Sequence, residues 1–139
     1  MKTILLITAA LLFVFALAAC GGDETAADVN VDYGTSELYT QQDMDAAIEL
    51  IRGEFDGWEG CELHSLSYAG DECCSEENIA WMNQLGDDAG FTQCIEFVSD
   101  FHSPVEGGGA WEPDNEYTDW QWWLARAEGG DWQLMTWGY

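Results

Sequence analysis

His64 and His102 are the only histidines among 139 residues. A histidine beside a cysteine or a carboxylate can activate a nucleophile or move a proton. Neither one has a nucleophile elbow or another catalytic spacing around it. Asp100 lies two residues before His102 on the same face of a predicted strand, about 6–7 Å away, too far to orient the ring. No catalytic residue is assigned, and both histidines read as structural or surface groups. Cys61, Cys73, Cys74 and Cys94 allow several disulfide pairings. Cys61 and Cys94 fall on predicted strands that can be neighbours, so theirs is the expected bond, with free thiols as the alternative. A zinc site needs spaced thiolates such as C-x-x-C, which the Cys73-Cys74 dipeptide does not supply. The run EPDNEYTD, residues 112–119, is rich in oxygen ligands but lacks the glycine of an EF-hand loop. A solvated acidic loop is expected there, with no metal and no cofactor. Trp111 follows three glycines and has two uses open to it. With Asp114 and Asn115 it can hold a ligand, the ring face stacking while the carboxylate and amide take hydrogen bonds. It can instead fold down as a lid on Trp123 or Trp132.

Charge limits the partners. The chain carries 27 acidic residues against three Lys and Arg, a formal charge of −24. Nucleic acid and anionic lipid headgroups are bound through Lys and Arg, so this surface repels both. Membrane attachment has to come from elsewhere. Lys2 precedes an apolar run, Ile4–Ala19, too short for a membrane span of about 20 residues but suited to a secretory signal. It ends in Leu17-Ala18-Ala19-Cys20, which resembles the lipobox of bacterial lipoproteins. The resemblance implies cleavage before Cys20 and acyl chains on its sulfur, which anchor stably when two are present. The expected divisions are a signal peptide at 1–19, a lipidated Cys20 with an acidic flexible spacer to residue 38, and one folded domain at 39–139.

The elements of that domain follow from periodicity. Thr40 suits an N-cap, with Asp43 completing a capping box and Tyr39 and Met44 a hydrophobic staple. Met44, Ala47, Ile48, Ile51 and Phe55 then form one apolar helical stripe. Cys61 to Tyr68 reads as a strand. Ser75 caps a shorter helix, EENIAWMNQL, with Ile79, Met82 and Leu85 inward. TQCIEFVSDF alternates as a strand should. The long glycine-rich segment before Tyr117 is of the kind that is functional or disordered in small domains.

The last two strands flank Glu128-Gly129-Gly130-Asp131, a tight-turn sequence. The implied register sets Leu124 against Met135, Ala125 against Leu134, Trp123 against Thr136 and Trp122 against Trp137. One face then holds Trp120, Trp122, Leu124, Met135, Trp137 and Tyr139, and is expected to pack on the first helix. The other holds Trp123, Trp132 and Leu134. A sheet covered on one side alternates apolar with polar; this hairpin is apolar on both. The second face needs its own cover, from the Trp111 loop, a partner chain or a ligand, which makes Trp123 and Trp132 expected contact residues.

The element order resembles the nuclear-transport-factor-2-like and cystatin-like families, which wrap a curved antiparallel sheet around a long N-terminal helix. Through SDFHSP, GGGAWEP, EYTDW and WQLMTWGY, residues 39–139 also resemble small surface lipoproteins of Gram-positive bacteria with no assigned role. The longer helical opening common in the first fold is missing here. The resemblance implies an α+β fold: an N-terminal helix on a curved antiparallel sheet of about four strands, plus one short helix. Fold alone does not name an activity. The expected function is a lipid-anchored cell-membrane protein facing outside the cytoplasm. Its domain would act as a non-enzymatic module for a glycan, peptide or protein, a homodimer partner included. A small pocket enzyme and a structural, dimerising envelope domain are the alternatives.

Overall fold

Thr40 caps a helix as its neighbours predict. In the computed structural model, which describes residues 28–139, the Thr40 hydroxyl accepts from the Asp43 N–H while the Asp43 carboxylate accepts from the Thr40 N–H. Such a cap contributes about 1 kcal/mol. Helix α1 (Gln41–Phe55) buries the expected stripe, Met44, Ala47, Ile48, Ile51 and Phe55, and each larger side chain contributes about 1.5–3 kcal/mol.

The sheet has five strands among the described residues: β1 (Asn30–Asp32), β2 (Glu62–Tyr68), β3 (Gln93–His102), β4 (Glu116–Arg126) and β5 (Gln133–Gly138). They lie side by side in chain order, β1 parallel to β2 and the rest antiparallel. The class is α+β as expected, but the sheet is mixed and α1 follows a strand. β1 falls within the stretch expected to be spacer. Three residues among acids give no alternating signal. What holds them is long-range: Val31 pairs with Leu66, and the Asp71 carboxylate accepts from the Ser36 hydroxyl, the Glu37 N–H and the Tyr68 hydroxyl.

Residues in direct register share a face. Phe97 opposes both Tyr68 and Trp122, and Ile95 opposes Leu124. This is the face under α1, whose Phe55 meets Phe101 edge to face at 5.6 Å. At its centre Trp122 is wholly buried, its indole N–H donating to the buried Ser99 hydroxyl at 2.9 Å. The opposite face carries Trp123. A second helix, α2 (Glu76–Leu85), capped by Ser75, lays Trp81 edge-on against it at 5.3 Å and buries Met82 beside it. Leu85, expected inward, is 46% exposed, while Met82 one turn earlier is fully buried, so the helix turns a narrow stripe to the sheet.

The hairpin register holds in its outer half, Trp122 with Trp137 and Trp123 with Thr136, and slips nearer the turn. A bulge between Trp123 and Leu124 sets Leu124 against Leu134 and Ala125 against Gln133. One inserted residue reverses the facing of everything beyond it. Trp132 therefore lies on the α1 side, donating its N–H to the Asp43 carbonyl at 2.9 Å.

Ser99→Ala leaves the Trp122 N–H buried and unpaired. A loss of about 1–3 kcal/mol is expected, read as a lower urea midpoint with unchanged slope; a midpoint equal to wild type would show that this bond contributes nothing.

Candidate functional site

Between β3 and β4 the chain makes a loop, residues 103–115, that wraps the end of the sheet. Buried Ser103 ties its two arms: the hydroxyl donates to the Glu112 carbonyl and accepts from the Asn115 N–H, and the Ser103 N–H donates to the Asn115 carbonyl. The Pro104 carbonyl accepts from both Gly107 and Asp114. Gly107 is required here: its φ is +69°, and a Cβ would meet the Trp111 carbonyl oxygen at 3.1 Å.

On the α1 side of the sheet the loop is pinned by Trp111. Its ring lies 4.9 Å from Trp58, 5.3 Å from Phe101, 5.4 Å from Tyr117 and 5.6 Å from Trp120. Trp58, just past α1, stacks on Trp122 at 5.1 Å, and Trp122 continues to Trp137 at 5.9 Å. Tyr139 closes the row against Trp120 at 5.0 Å. These rings form one aromatic shelf. Its inner members are buried or half-buried, while Trp137 is 40% and Tyr139 76% exposed. The Trp120 indole N–H is buried without a hydrogen-bond partner. That ring stands nearly perpendicular to Trp58, Phe101 and Tyr117, where π faces offer only a weak acceptor.

On the other side of the sheet the pin is electrostatic. Glu116 opposes His102 directly across β3 and β4. Its two oxygens take His64 Nδ1 and His102 Nδ1, each at 2.9 Å, and Asp114 takes His102 Nε2 at 2.8 Å. A neutral imidazole has one N–H. Carboxylates at both ring nitrogens therefore require His102 to be the doubly protonated cation. Asp114, then Glu116, holds its pKa above the ordinary 6.5. Desolvation pushes the Glu116 carboxyl upward, but the hydrogen bonds from His102 and His64 outweigh it and leave it below its usual value.

The site residues expected from sequence separate. Trp111, Asp114 and Asn115 do meet in the loop. Trp111 is a lid, as one of its two readings held, but over Trp58, Phe101 and Trp120 rather than Trp123 or Trp132. Trp123 and Trp132 are 7% and 6% exposed and lie on opposite faces, so neither is a surface contact: α2 covers the first, α1 and Arg126 the second. The Arg126 guanidinium sits 4.2 Å over the Trp132 ring while pairing with Asp43 at 2.9 Å. Cys20 lies outside the described residues. Cys61 and Cys94 are free and sit at opposite ends of the β2–β3 pair. Their strands are neighbours, as expected, but the antiparallel register keeps the thiols apart. Cys94 instead donates to the Cys73 carbonyl, and the Tyr39 hydroxyl donates to the Cys94 carbonyl at 2.7 Å with the Cys74 sulfur 3.2 Å away. Burial pushes the Cys73 thiol up to about 11 and the Cys94 thiol to about 12, so neither supplies a thiolate near neutral pH.

Among the described residues no three His, Cys, Asp or Glu side chains are placed to hold a metal ion. A shallow groove of about 90 Å³ runs between Trp81, Gln121, Trp123 and Thr136 and the end of β5, well below the roughly 300–1,000 Å³ of small-molecule sites. The roles missed from sequence are Trp58 and Trp120 as inner rings of the shelf, Trp137 and Tyr139 as its open end, and Glu116 as the bridge between the histidines. Only the alternation of the last two strands hinted at the shelf.

Because the folded-state pKa of His102 is raised, its contribution to stability is complete below the unfolded value of about 6.5 and is lost as pH rises through the folded one. Glu116, lowered, works in the opposite sense and fails in acid. Across about pH 5.5 to pH 8.5 the wild type should lose melting temperature that His102→Gln does not; parallel curves would dismiss the latch. All four cysteines of the domain should react with a thiol reagent after denaturation without reductant, Cys73 and Cys94 only then. A reductant requirement would reveal a disulfide.

Compared with known proteins, the chain matches no family model, no curated protein and no solved structure.

Proposed function

We propose that this chain is a bacterial lipoprotein anchored at the cell membrane through acyl chains on Cys20, and that its domain is a non-enzymatic binding module facing outside the cytoplasm. The contact face is the aromatic shelf at the loop-103–115 end of the sheet. One observation carries this reading: Trp137 and Tyr139 stand open at the end of a continuous row of rings, whereas Trp81, the other exposed tryptophan, lies across the sheet against Trp123. Contiguous exposed rings mark places where a surface meets something else. The anchoring half rests on Leu17-Ala18-Ala19-Cys20 behind a short apolar run.

Both halves can be tested. Labelled palmitate should follow the wild type and not Cys20→Ser; equal label would remove the anchor. Glycan and peptide arrays should show ligands held by wild type and lost by the Trp137→Thr/Tyr139→Thr double variant, with unchanged circular dichroism. Equal binding by the variant, or no binding by either, would end the shelf reading.

A further inference from the structure

Resting on the binding-module reading above, we infer that the shelf accepts an extended basic peptide, added as a strand along the outer edge of β5 with arginine or lysine side chains over Trp137 and Tyr139. β5 pairs with β4 alone, and no described strand occupies its other side. Sheet edges are usually guarded by charge, proline or brevity. The far edge, β1, is three residues long and ends in Asp32. β5 runs Gln-Leu-Met-Thr-Trp-Gly, with neither charge nor proline. Its free backbone donors and acceptors suit strand addition, in which backbone bonds supply affinity and alternate side chains supply choice.

The surface says what those side chains are. Glu59 follows Trp58, Glu112 follows Trp111 and Asp119 precedes Trp120, and all three carboxylates are exposed. The chain has no Lys or Arg between Arg52 and Arg126. Ring faces carry negative charge density and attract cations, so rings and rim select the same sign. Trp137 and Tyr139 are two residues apart, hence on one face at about 7 Å. Alternate residues of an added strand match that spacing. The fold already makes this contact once internally, where Arg126 lies over Trp132 at 4.2 Å and Tyr39 at 5.7 Å; Trp137 and Tyr139 form a second such pair open to an outside cation. A second copy of this chain is a poor occupant, because two chains of formal charge −24 repel each other.

The probe is a synthetic peptide of about ten residues, alternating arginine with threonine or valine, titrated against the domain by intrinsic tryptophan fluorescence. Binding should weaken about tenfold or more in each of three comparisons: with citrulline replacing arginine, with alternate backbone amides N-methylated, and with Trp137→Thr/Tyr139→Thr protein that keeps its circular dichroism. Equal binding of the citrulline peptide overturns the cationic partner and leaves the shelf standing. Equal binding of the N-methylated peptide overturns strand addition. Equal binding to the double variant shows attraction to net charge alone and overturns both this inference and the shelf. No binding of the arginine peptide overturns the inference, while the arrays above still judge the shelf. A wild type that sediments as a dimer, and as a monomer once Trp137 and Tyr139 are replaced, would name the second copy as occupant and overturn it too.

Discussion

A sheet with large rings on both faces has to be covered twice. That demand organises this molecule. One helix cannot reach both sides, so α1 takes the face of Phe97, Trp122 and Leu124, and the shorter α2 takes Trp123. α1 reaches the loop end of the sheet only through its last residue, Phe55, against Phe101. There the loop of residues 103–115 supplies the remaining cover and leaves Trp137 and Tyr139 open. The shelf is thus the remainder left when two helices and one loop close over more aromatic area than they can enclose. Removing such area from water stabilises the fold at about 25 cal/mol per Å²; the exposed rings forgo that contribution, which is why a second surface is the natural place for them.

Electrostatics works against compactness in so acidic a chain, and the few cations are concentrated on joints. Arg126 joins β4 to α1 through Asp43, to β3 through Gln93 and to the ring of Trp132. Asp43 also caps α1, and its own carbonyl holds Trp132, so one residue ties the helix start to the far hairpin. His102 does the same for the loop: it is the one cation placed between Asp114 and Glu116, and it turns a repulsive pair of carboxylates into a clasp. Trp111 holds the same loop from the opposite face by packing alone, so the two pins respond to different conditions. Protonation governs one and solvent quality the other.

The helices were legible almost residue by residue. The stripe of α1, its Thr40 cap and the Ser75 cap of α2 depend on neighbours three or four positions away, which sequence displays directly. The outer half of the last hairpin, Trp122 beside Trp137, matched the register implied by the Gly129-Gly130 turn. β1 was not, since three residues bring no period and their partner lies 35 positions on. The site was legible in part. Trp111, Asp114 and Asn115 share a loop, yet the contact roles expected of Trp123 and Trp132 dissolved once each was buried under a different helix. The clasp on Glu116 was invisible, because nothing local relates residues 64, 102 and 116.

By itself the sequence determined the net charge of −24, the apolar run before Cys20, and the elements whose periods are short. Tertiary structure alone decided which rings face water, which thiols meet and which carboxylates the histidines share. The physical reason is register. Bulges at Leu63/Ser65, Ser99/Phe101 and Trp123/Leu124 each offset a strand by a residue, and such an offset reverses the facing of all that follows. Where a bulge falls is settled by packing across the whole sheet rather than by the residues beside it.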